Sequence, residues 1–372
     1  MQRKALFAAI ALLIAMTMAA MAAEVLVRVV ARPGTELAER LRPYDPFAIL
    51  VEPHGFHGYR PRPGVVVRYR NGTAAHINAR GFRGVTPAAG EDSTRLRVAM
   101  LGGSTTFGWG VDDSATIGAY LTGLLDSLMP GRAIEVVNAA FDGYDSHQLL
   151  ERLLGDVLPL RPQVVVINSG INDVRSARYS GLEYADPRTL FYEAPMRRMR
   201  EEQARGRPYL WSRVKHASKA VQLAALTRTL VMSTARARPL PATRFDIYPD
   251  AADYFESNVR RMIDSATARG AVVLLSTPPS SLRENHAPDE TSTIAYWLND
   301  AAETQVYRDT LAARLRGIAE SYVGRGARVE YLRPSVPPAE FLDDAHLTGP
   351  GNRLVAEQFA PVIARLLAPR AP

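Results

Sequence analysis

The chain of 372 residues contains no cysteine. This absence excludes disulfide bonds, cysteine-ligated zinc sites, a cysteine nucleophile and lipid attachment to an N-terminal cysteine. A glycine-flanked serine, Ser104, lies on a turn without the Gly-Lys-Ser/Thr ending of a P-loop, which disfavours a phosphate-binding loop. The Gly-x-Ser-x-Gly elbow of α/β-hydrolases is also missing there, because Thr106 occupies the place of the second glycine.

Apolar residues make up 47% of the chain and charged residues 22%, which is ordinary for a globular protein with a substantial core. The formal net charge is +7, and it is concentrated in one interval. Residues 175–238 contain 14 Lys and Arg against 5 Asp and Glu, so the remainder is close to neutral. This basic interval is either a solvated helical insertion or a lid that contacts anionic lipid headgroups or an acidic polymer. The chain has no nucleic-acid-binding motif, so we expect no nucleic-acid partner.

The N-terminus combines a basic start at residues 1–4 with an uncharged apolar stretch at residues 5–23. Such a stretch is a signal peptide cleaved at the small residues 20–22, a signal anchor continuing to Arg28, or a buried helix. Its length and the apolar residues after Glu24 favour the anchor. We therefore expect residues 1–31 to be a signal anchor or signal peptide. The basic start would stay cytoplasmic, with the remaining chain outside a bacterial inner membrane, or periplasmic or secreted after cleavage.

Residues 32–94 are rich in proline, glycine and aromatic residues and show little helical periodicity. Within them, the apolar segments 65–69 and 73–77 flank Asn71-Gly72, which is a strong signal for a β-hairpin. We predict that residues 32–94 form a small β-rich preamble.

From residue 95 to the end, apolar β-branched runs alternate with helical patterns, which predicts a parallel sheet covered on both faces. The predicted strands are 96–101, 134–138, 164–168, 271–276 and 328–332. The predicted helices are 114–128, 146–157, 251–269, 304–324 and 351–367. The expected fold class is α/β, a flavodoxin-like three-layer sandwich with about five parallel strands. A basic helical insertion at about 175–250, with helices near 196–204 and 209–233, interrupts it. Ligands of such sheets bind at the carboxyl ends of the strands.

Three small motifs follow predicted strands directly. Ser104 lies on the first turn, where it is a nucleophile or simply a helix cap. Gly143 follows the second strand and either presents an unobstructed backbone N–H or serves only as a turn glycine. Asn172 follows the third strand, and its amide either holds a developing oxyanion or stabilises the turn.

A fourth cluster near the C-terminus contains Asp343, Asp344 and His346. A spacing of three residues lets one turn present a carboxylate and an imidazole together, so that the carboxylate fixes the imidazole tautomer. This spacing slightly favours Asp343 over Asp344, and a solvated acidic turn remains the alternative. Together the four clusters supply a nucleophile, oxyanion donors, a base and an orienting carboxylate.

These four clusters resemble the sequence blocks of the SGNH (GDSL-like) hydrolases, and the resemblance extends over residues 95–367. Gly103 stands where many members carry Asp. Residues 78–84 also resemble a segment that precedes the core in membrane-anchored bacterial members. The matching blocks are residues 102–110, 138–143, 170–173 and 343–346.

The resemblance implies a role for each matching residue. Ser104 would attack an ester carbonyl, with His346 as base and then acid and Asp343 orienting it. The N–H groups of Ser104 and Gly143 and the side chain of Asn172 would hold the oxyanion. The chemistry implied needs neither a metal ion nor a cofactor.

Three functions are compatible with this sequence. The favoured one is an exported serine esterase or deacylase acting on an acylated small molecule, polysaccharide or lipid. An O-acyltransferase would use the same residues and pass the acyl group to a sugar hydroxyl. A non-catalytic envelope carbohydrate-binding protein could also keep the fold. The sequence leaves the oligomeric state open.

Overall fold

The computed structural model describes residues 2–32, 35, 37, 41, 50–55, 57–69, 71–88, 95–190, 193–206, 214, 217–224, 227, 244–282 and 297–368. Its strands β1–β9 are Val51–His54, Gly58–Pro61, Val66–Arg68, Ala74–His76, Arg95–Gly102, Ala133–Asn138, Val164–Asn168, Val272–Ser276 and Val329–Leu332. Its α-helices α1–α10 are Gln2–Val30, Ser104–Phe107, Ile117–Leu128, Ser146–Arg152, Asp173–Ser176, Gly181–Tyr184, Glu193–Ala204, Ala251–Thr267, Ala301–Ser321 and Gly349–Leu367.

Strands β5–β9 form one five-stranded parallel sheet in the order β6-β5-β7-β8-β9. The fold is therefore α/β with a five-stranded parallel sheet, as predicted. The register pairs the last residues of four neighbouring strands, so their carboxyl ends form one row. That row consists of Gly102, Asn168, Ser276 and Leu332.

Helices cover both faces of this sheet, which gives the predicted three layers. On one face, α3 and α10 pack together with alternate strand residues such as Met100 and Val166. The intervening residues, such as Leu101 and Ile167, are fully buried on the other face. Helices α8 and α9 contact β8 on that face, and α4 packs on α8. The alternation explains why the strands are continuous apolar runs, because both faces are buried.

Three helices differ from the sequence expectation by three or more residues at one end or both. Helix α9 spans Ala301–Ser321 instead of 304–324, because the Asp300 side chain caps its start by accepting the Glu303 N–H. Helix α3 begins at Ile117 rather than residue 114, because the Thr116 side chain caps it by accepting from the Ala119 N–H at 3.2 Å. A 3₁₀ turn occupies Asp113–Ala115. The predicted helix 146–157 is α-helical only to Arg152 and continues as one π-helical turn, Leu153–Val157.

Two antiparallel hairpins precede the sheet. Strands β1 and β2 form the first, and β3 and β4 form the second, with Val67 opposite Ala75. Gly72 lies in the second turn with a φ of +90°, a conformation that glycine adopts without steric cost. The predicted hairpin around Asn71-Gly72 is therefore confirmed.

The chain divides into two compact units: residues 1–49 with 198–243, and residues 50–197 with 244–372. Both hairpins and the parallel sheet belong to the second unit. The first unit contains the apolar helix α1, long enough to cross a membrane. The predicted insertion helix at 196–204 lies within α7. Most of the predicted helix at 209–233 lies outside the described residues.

Candidate active site

The turn that carries Ser104 contains glycines at positions where neighbouring atoms leave no room for a side chain. A Cβ on Gly102 would lie 2.2 Å from the Thr106 Oγ1 and 2.7 Å from the Asn168 carbonyl oxygen. At Gly102 the backbone of β5 therefore lies close to β7. The short helix α2 begins two residues later, with Ser104. Gly108, with a φ of +85°, ends this helix after one turn. The result is a buried serine at the carboxyl end of β5.

Ser104, His346 and Asp343 are joined in a continuous row of hydrogen bonds. The Ser104 Oγ lies 2.8 Å from Nε2 of His346, and Nδ1 of His346 lies 2.6 Å from Oδ2 of Asp343. The other oxygen, Oδ1, accepts the N–H groups of Ala345 and His346 at 2.8 and 2.7 Å. These bonds fix the carboxylate, which in turn fixes the imidazole. Of the two candidate carboxylates, it is Asp343 that contacts the ring.

Two further contacts hold the histidine loop against the serine helix. The Thr105 hydroxyl donates to the Ala345 carbonyl oxygen at 3.0 Å. The indole of Trp109 lies against the imidazole of His346, with ring centroids 4.7 Å apart and an interplanar angle of 33°. Sequence reasoning did not single out Trp109, although it lies in the same glycine-rich stretch as Ser104. Its ring restricts the positions open to the imidazole.

Asn172 lies immediately beside the turn that carries the serine. Its Nδ2 donates to the Tyr144 carbonyl oxygen at 2.8 Å. A Cβ on Gly103 would lie only 2.3 Å from that same Nδ2. Gly103, where many SGNH hydrolases carry Asp, therefore allows Asn172 to approach the turn closely. An amide nitrogen has two hydrogens, so this bond uses one of the two Nδ2 donors.

The Gly143 loop is positioned by the preamble as well as by the sheet. Gly143 has a φ of +72°. Tyr59, on β2, donates from its hydroxyl to the Asp142 carbonyl oxygen at 3.0 Å. In the opposite direction, the Tyr144 hydroxyl donates to the Tyr59 carbonyl oxygen at 2.9 Å. This role of Tyr59 could not be found in the sequence, because it depends on how strands remote along the chain pack.

A buried carboxylate, Asp173, ties the Gly143 loop to the Asn172 loop. It accepts the N–H of Ser146 at 2.8 Å, the N–H of Gly170 at 3.1 Å, and the hydroxyl of Tyr184. Burial and the nearby charge of Asp145 raise the pKa of Asp173 to about 6. The structure thus brings all five predicted site residues to one edge of the sheet: Ser104, Gly143, Asn172, Asp343 and His346.

The charge on His346 is governed by carboxylates. Burial opposes its protonation, but the hydrogen bond and charge of Asp343 more than offset this, so the pKa of His346 rises above 6.5. The charges of Asp142 and Asp344 act in the same direction. Burial raises the pKa of Asp142 itself to about 6, against the charge of His346 and the N–H of Gly143. Sequence reasoning missed Asp142, although it immediately precedes Gly143.

A parallel α/β sheet with a hydrogen-bonded Ser–His–Asp row at its strand ends has the arrangement of a serine hydrolase. The groups beside the serine are hydrogen-bond donors of the kind that stabilise an oxyanion. The chain order of serine, Asp and His is the one found in α/β-hydrolases, but the Gly-x-Ser-x-Gly elbow is missing and Asp343 lies only three residues before His346.

A comparison with models of known protein families agrees with this class. A model of the GDSL-like lipase/acylhydrolase family matches residues 100–354. Axe2, an acetylxylan esterase from Geobacillus stearothermophilus solved as a catalytic mutant, is 19% identical with a TM-score of 0.41, covering 74% of this chain and 97% of its own. A GDSL-like lipase from Bacteroides thetaiotaomicron is 17% identical with a TM-score of 0.39, covering 73% and 89%. A search of curated proteins gives no match.

Because the family model covers more than half of the chain, this protein belongs to the GDSL-like lipase/acylhydrolase family. It is a serine hydrolase that acts on ester bonds. The resemblance to SGNH hydrolases in the sequence is thereby confirmed at the level of the family.

Proposed function

We propose that the protein is an esterase or deacylase that forms an acyl-enzyme on Ser104. The observation that carries this proposal is the uninterrupted row from the Ser104 Oγ through both ring nitrogens of His346 to the Asp343 carboxylate. The Ser104 Oγ attacks the ester carbonyl carbon while Nε2 of His346 takes its proton. Asp343 stabilises the imidazolium, which then gives the proton to the leaving alcohol. Water, activated by the same histidine, hydrolyses the acyl-serine.

The carbonyl oxygen becomes negatively charged in the tetrahedral intermediate, and three donors are assigned to it. They are the backbone N–H groups of Ser104 and Gly143 and the Nδ2 of Asn172. Support for this comes from the contact of Asn172 with both the Gly103 turn and the Tyr144 carbonyl. Donors fixed by packing need no rearrangement when the charge develops, and this makes them effective.

The proposed substrate is an acylated polysaccharide or lipid of the cell envelope. Support comes from the apolar helix α1, which is compatible with a signal anchor or signal peptide, and from the basic interval at 175–238. The name of Axe2 places an acetylated polysaccharide among the substrates of similar proteins. A purified sample should release acetate from a p-nitrophenyl ester and from an acetylated oligosaccharide. Failure on both would refute esterase activity.

An O-acyltransferase would pass through the same acyl-enzyme, so the acceptor distinguishes the two reactions. We expect acetate to remain the main product when a sugar acceptor is present in large excess. The amounts of acetate and of acylated sugar formed in one reaction show whether hydrolysis or acyl transfer dominates. A product mixture dominated by acylated sugar would assign acyl transfer instead.

We propose that helix α1 is retained as a membrane anchor. Support comes from the helix itself, which continues without a break from Gln2 to Val30 past the candidate cleavage site at residues 20–22 and is long enough to cross a membrane. Its last turns also make defined contacts within the first unit. Glu24 accepts the N–H groups of Lys219 and Ala220 at 3.0 Å each and the Ser218 hydroxyl at 2.7 Å. Val27 is buried in a small apolar cluster with Ala31, Leu41, Ala220 and Leu223.

Membrane fractionation tests the anchor. The protein should sediment with the inner membrane, resist extraction by high salt and carry residue 1 or 2 at its N-terminus. A soluble periplasmic protein beginning after residue 22 would show that the segment is cleaved.

Substituting Gly103 by alanine tests the close approach of Asn172. The added Cβ would meet the Nδ2 at 2.3 Å, so the amide must move away from the oxyanion position. We expect kcat for a p-nitrophenyl ester to fall about 10²-fold, comparable with the loss of one oxyanion donor. The matched control is Gly123→Ala on helix α3, where an added Cβ meets nothing within 4 Å. Equal activity of the two variants would remove Asn172 from the proposed oxyanion site.

The pH dependence of kcat/KM tests the charge environment of His346. The histidine must be neutral to act as base, so activity should fall as the pH drops through its pKa, which lies above 6.5. In Asp142→Asn one of the charges that raise this pKa is absent. The acidic limb of the profile should therefore move to lower pH. An unchanged limb would show that Asp142 does not act on His346.

A further inference from the structure

A cavity opens at the same edge of the sheet as Ser104. It has a volume of about 310 Å³ and lies beyond the ends of β8 and β9. Its lining includes Pro278, Ser280, Arg308 and Arg333. The nucleophile follows β5, and Asn172 follows β7, the strand between β5 and β8. With strands about 4.8 Å apart, this cavity lies about 10–14 Å along the edge from the serine turn.

Arg308 is an uncommon side chain to find in such a cavity wall. It is only 3% exposed, yet no carboxylate in the described part of the chain forms an ion pair with it. Its two terminal nitrogens donate at 3.0 Å to the Gln305 side chain and the Pro278 carbonyl oxygen. Among the residues that the structure describes, none accepts a hydrogen bond from its Nε. The nearby charges of Asp309 and Asp344 favour its protonated form. A buried cation that no carboxylate pairs with directly is still costly, so the guanidinium favours an anion in the cavity.

The second arginine adds to the positive potential. Arg333 is about half-exposed and pairs with Asp309 at 2.7 Å. Burial, followed by the charge of Arg333, lowers the pKa of Arg308 to about 10. The guanidinium of Arg308 nevertheless stays protonated at neutral pH. Arginine side chains bind carboxylate and phosphate groups through paired N–H donors.

The cavity is joined to the catalytic loop by direct hydrogen bonds. The hydroxyl of Ser280, in its wall, donates to the Asp344 carbonyl oxygen at 2.6 Å. The neighbouring Ser281 hydroxyl donates to the Asp343 carbonyl oxygen at 3.1 Å. A group held in the cavity would therefore lie against the loop that carries the orienting carboxylate.

We propose that Arg308 and Arg333 form a subsite for an anionic group, a carboxylate or a phosphate, carried by the acylated saccharide whose ester reacts at Ser104. This proposal rests on the esterase function proposed above and specifies its substrate class. A carboxylate and a phosphate would bind in the same way, with anionic oxygens placed next to the buried guanidinium of Arg308. A uronic acid and a sugar phosphate are the two sources of that group.

The test compares esters that differ only in charge. Because one sugar ring is too short to reach from Ser104 to the cavity, the full-length protein is assayed with singly acetylated disaccharides whose second sugar is glucuronate, glucose 6-phosphate or glucose. We expect kcat/KM to be at least tenfold higher for one anionic ester than for the uncharged one, and the better of the two identifies the anion. In Arg308→Gln and Arg333→Ala the ratio should fall towards one. In Arg353→Ala, which changes an exposed arginine on α10, it should stay unchanged.

Binding provides a second measurement that does not depend on turnover. Glucuronate or inorganic phosphate should raise the Tm of the native chain, and the shift should be lost in Arg333→Ala. This half-exposed position serves if Arg308→Gln does not fold. No charge preference and no Tm shift in the native chain would overturn the subsite. Loss of p-nitrophenyl ester hydrolysis in the native chain would instead overturn the esterase proposal.

Discussion

Replacing Ser104 by alanine should lower kcat for a p-nitrophenyl ester by about 10⁶-fold, to the level left when a serine hydrolase loses its nucleophile. The reason is that no other hydroxyl is expected to take over the attack, since Nε2 of His346 points at the Ser104 Oγ. The substitution removes one atom from a buried position, so the fold should be retained. Steady-state kinetics, with circular dichroism as a check of folding, measures the effect.

The matched control for this substitution is Ser127→Ala. Ser127 is an exposed serine of helix α3 whose hydroxyl donates only to the Gly123 carbonyl oxygen, at 2.9 Å. Its loss should leave kcat unchanged within about twofold. A folded Ser104→Ala variant that kept more than a hundredth of the activity would show that another residue is the nucleophile.

Changing Asp343 to asparagine should lower kcat by about 10⁴-fold, the cost of holding the base in the wrong tautomer. Oδ1 of Asp343 accepts two backbone N–H groups, so the asparagine oxygen should take that place. The amide nitrogen would then face Nδ1 of His346 and donate to it. That forces the ring proton onto Nε2, which can no longer accept the proton of Ser104.

Asp344→Asn is the control for this change, because it removes a neighbouring buried carboxylate that does not touch the ring. Its charge raises the pKa of His346 and acts in the same direction on Arg308. We expect kcat at pH 8 to fall by less than about tenfold. If Asp344→Asn were more damaging than Asp343→Asn, the orienting role would belong to Asp344.

The sheet and the positions of the site motifs could be predicted because they follow from patterns of residues that are close together in the sequence. Strands that are buried on both faces must be apolar throughout, so their positions were visible to within one or two residues. The parallel order then placed the motifs at one edge. The choice of Asp343 over Asp344 followed from spacing within a single turn. These features depend on neighbours along the chain, which a sequence displays directly.

Other features depend on contacts between segments that lie far apart in the chain. Tyr59 holds the Asp142 carbonyl oxygen across a separation of 83 residues, and nothing near Tyr59 in the sequence indicates this. Arg308 looks like an ordinary arginine of a surface helix, and its hydrogen bond to the Pro278 carbonyl oxygen, 30 residues away, is visible only in the structure. Gly103 stands where many SGNH hydrolases carry Asp, and its close approach to Asn172 is visible only in the structure.

The most direct test of the account is mass spectrometry of the enzyme quenched during turnover of an acetyl ester, with a fluorophosphonate probe in a parallel sample. The account predicts one acetyl group and one probe adduct per chain. Both should map to the peptide that contains Ser104, and neither should form in Ser104→Ala. A modification on any other residue, or ester turnover without probe labelling at Ser104, would contradict it.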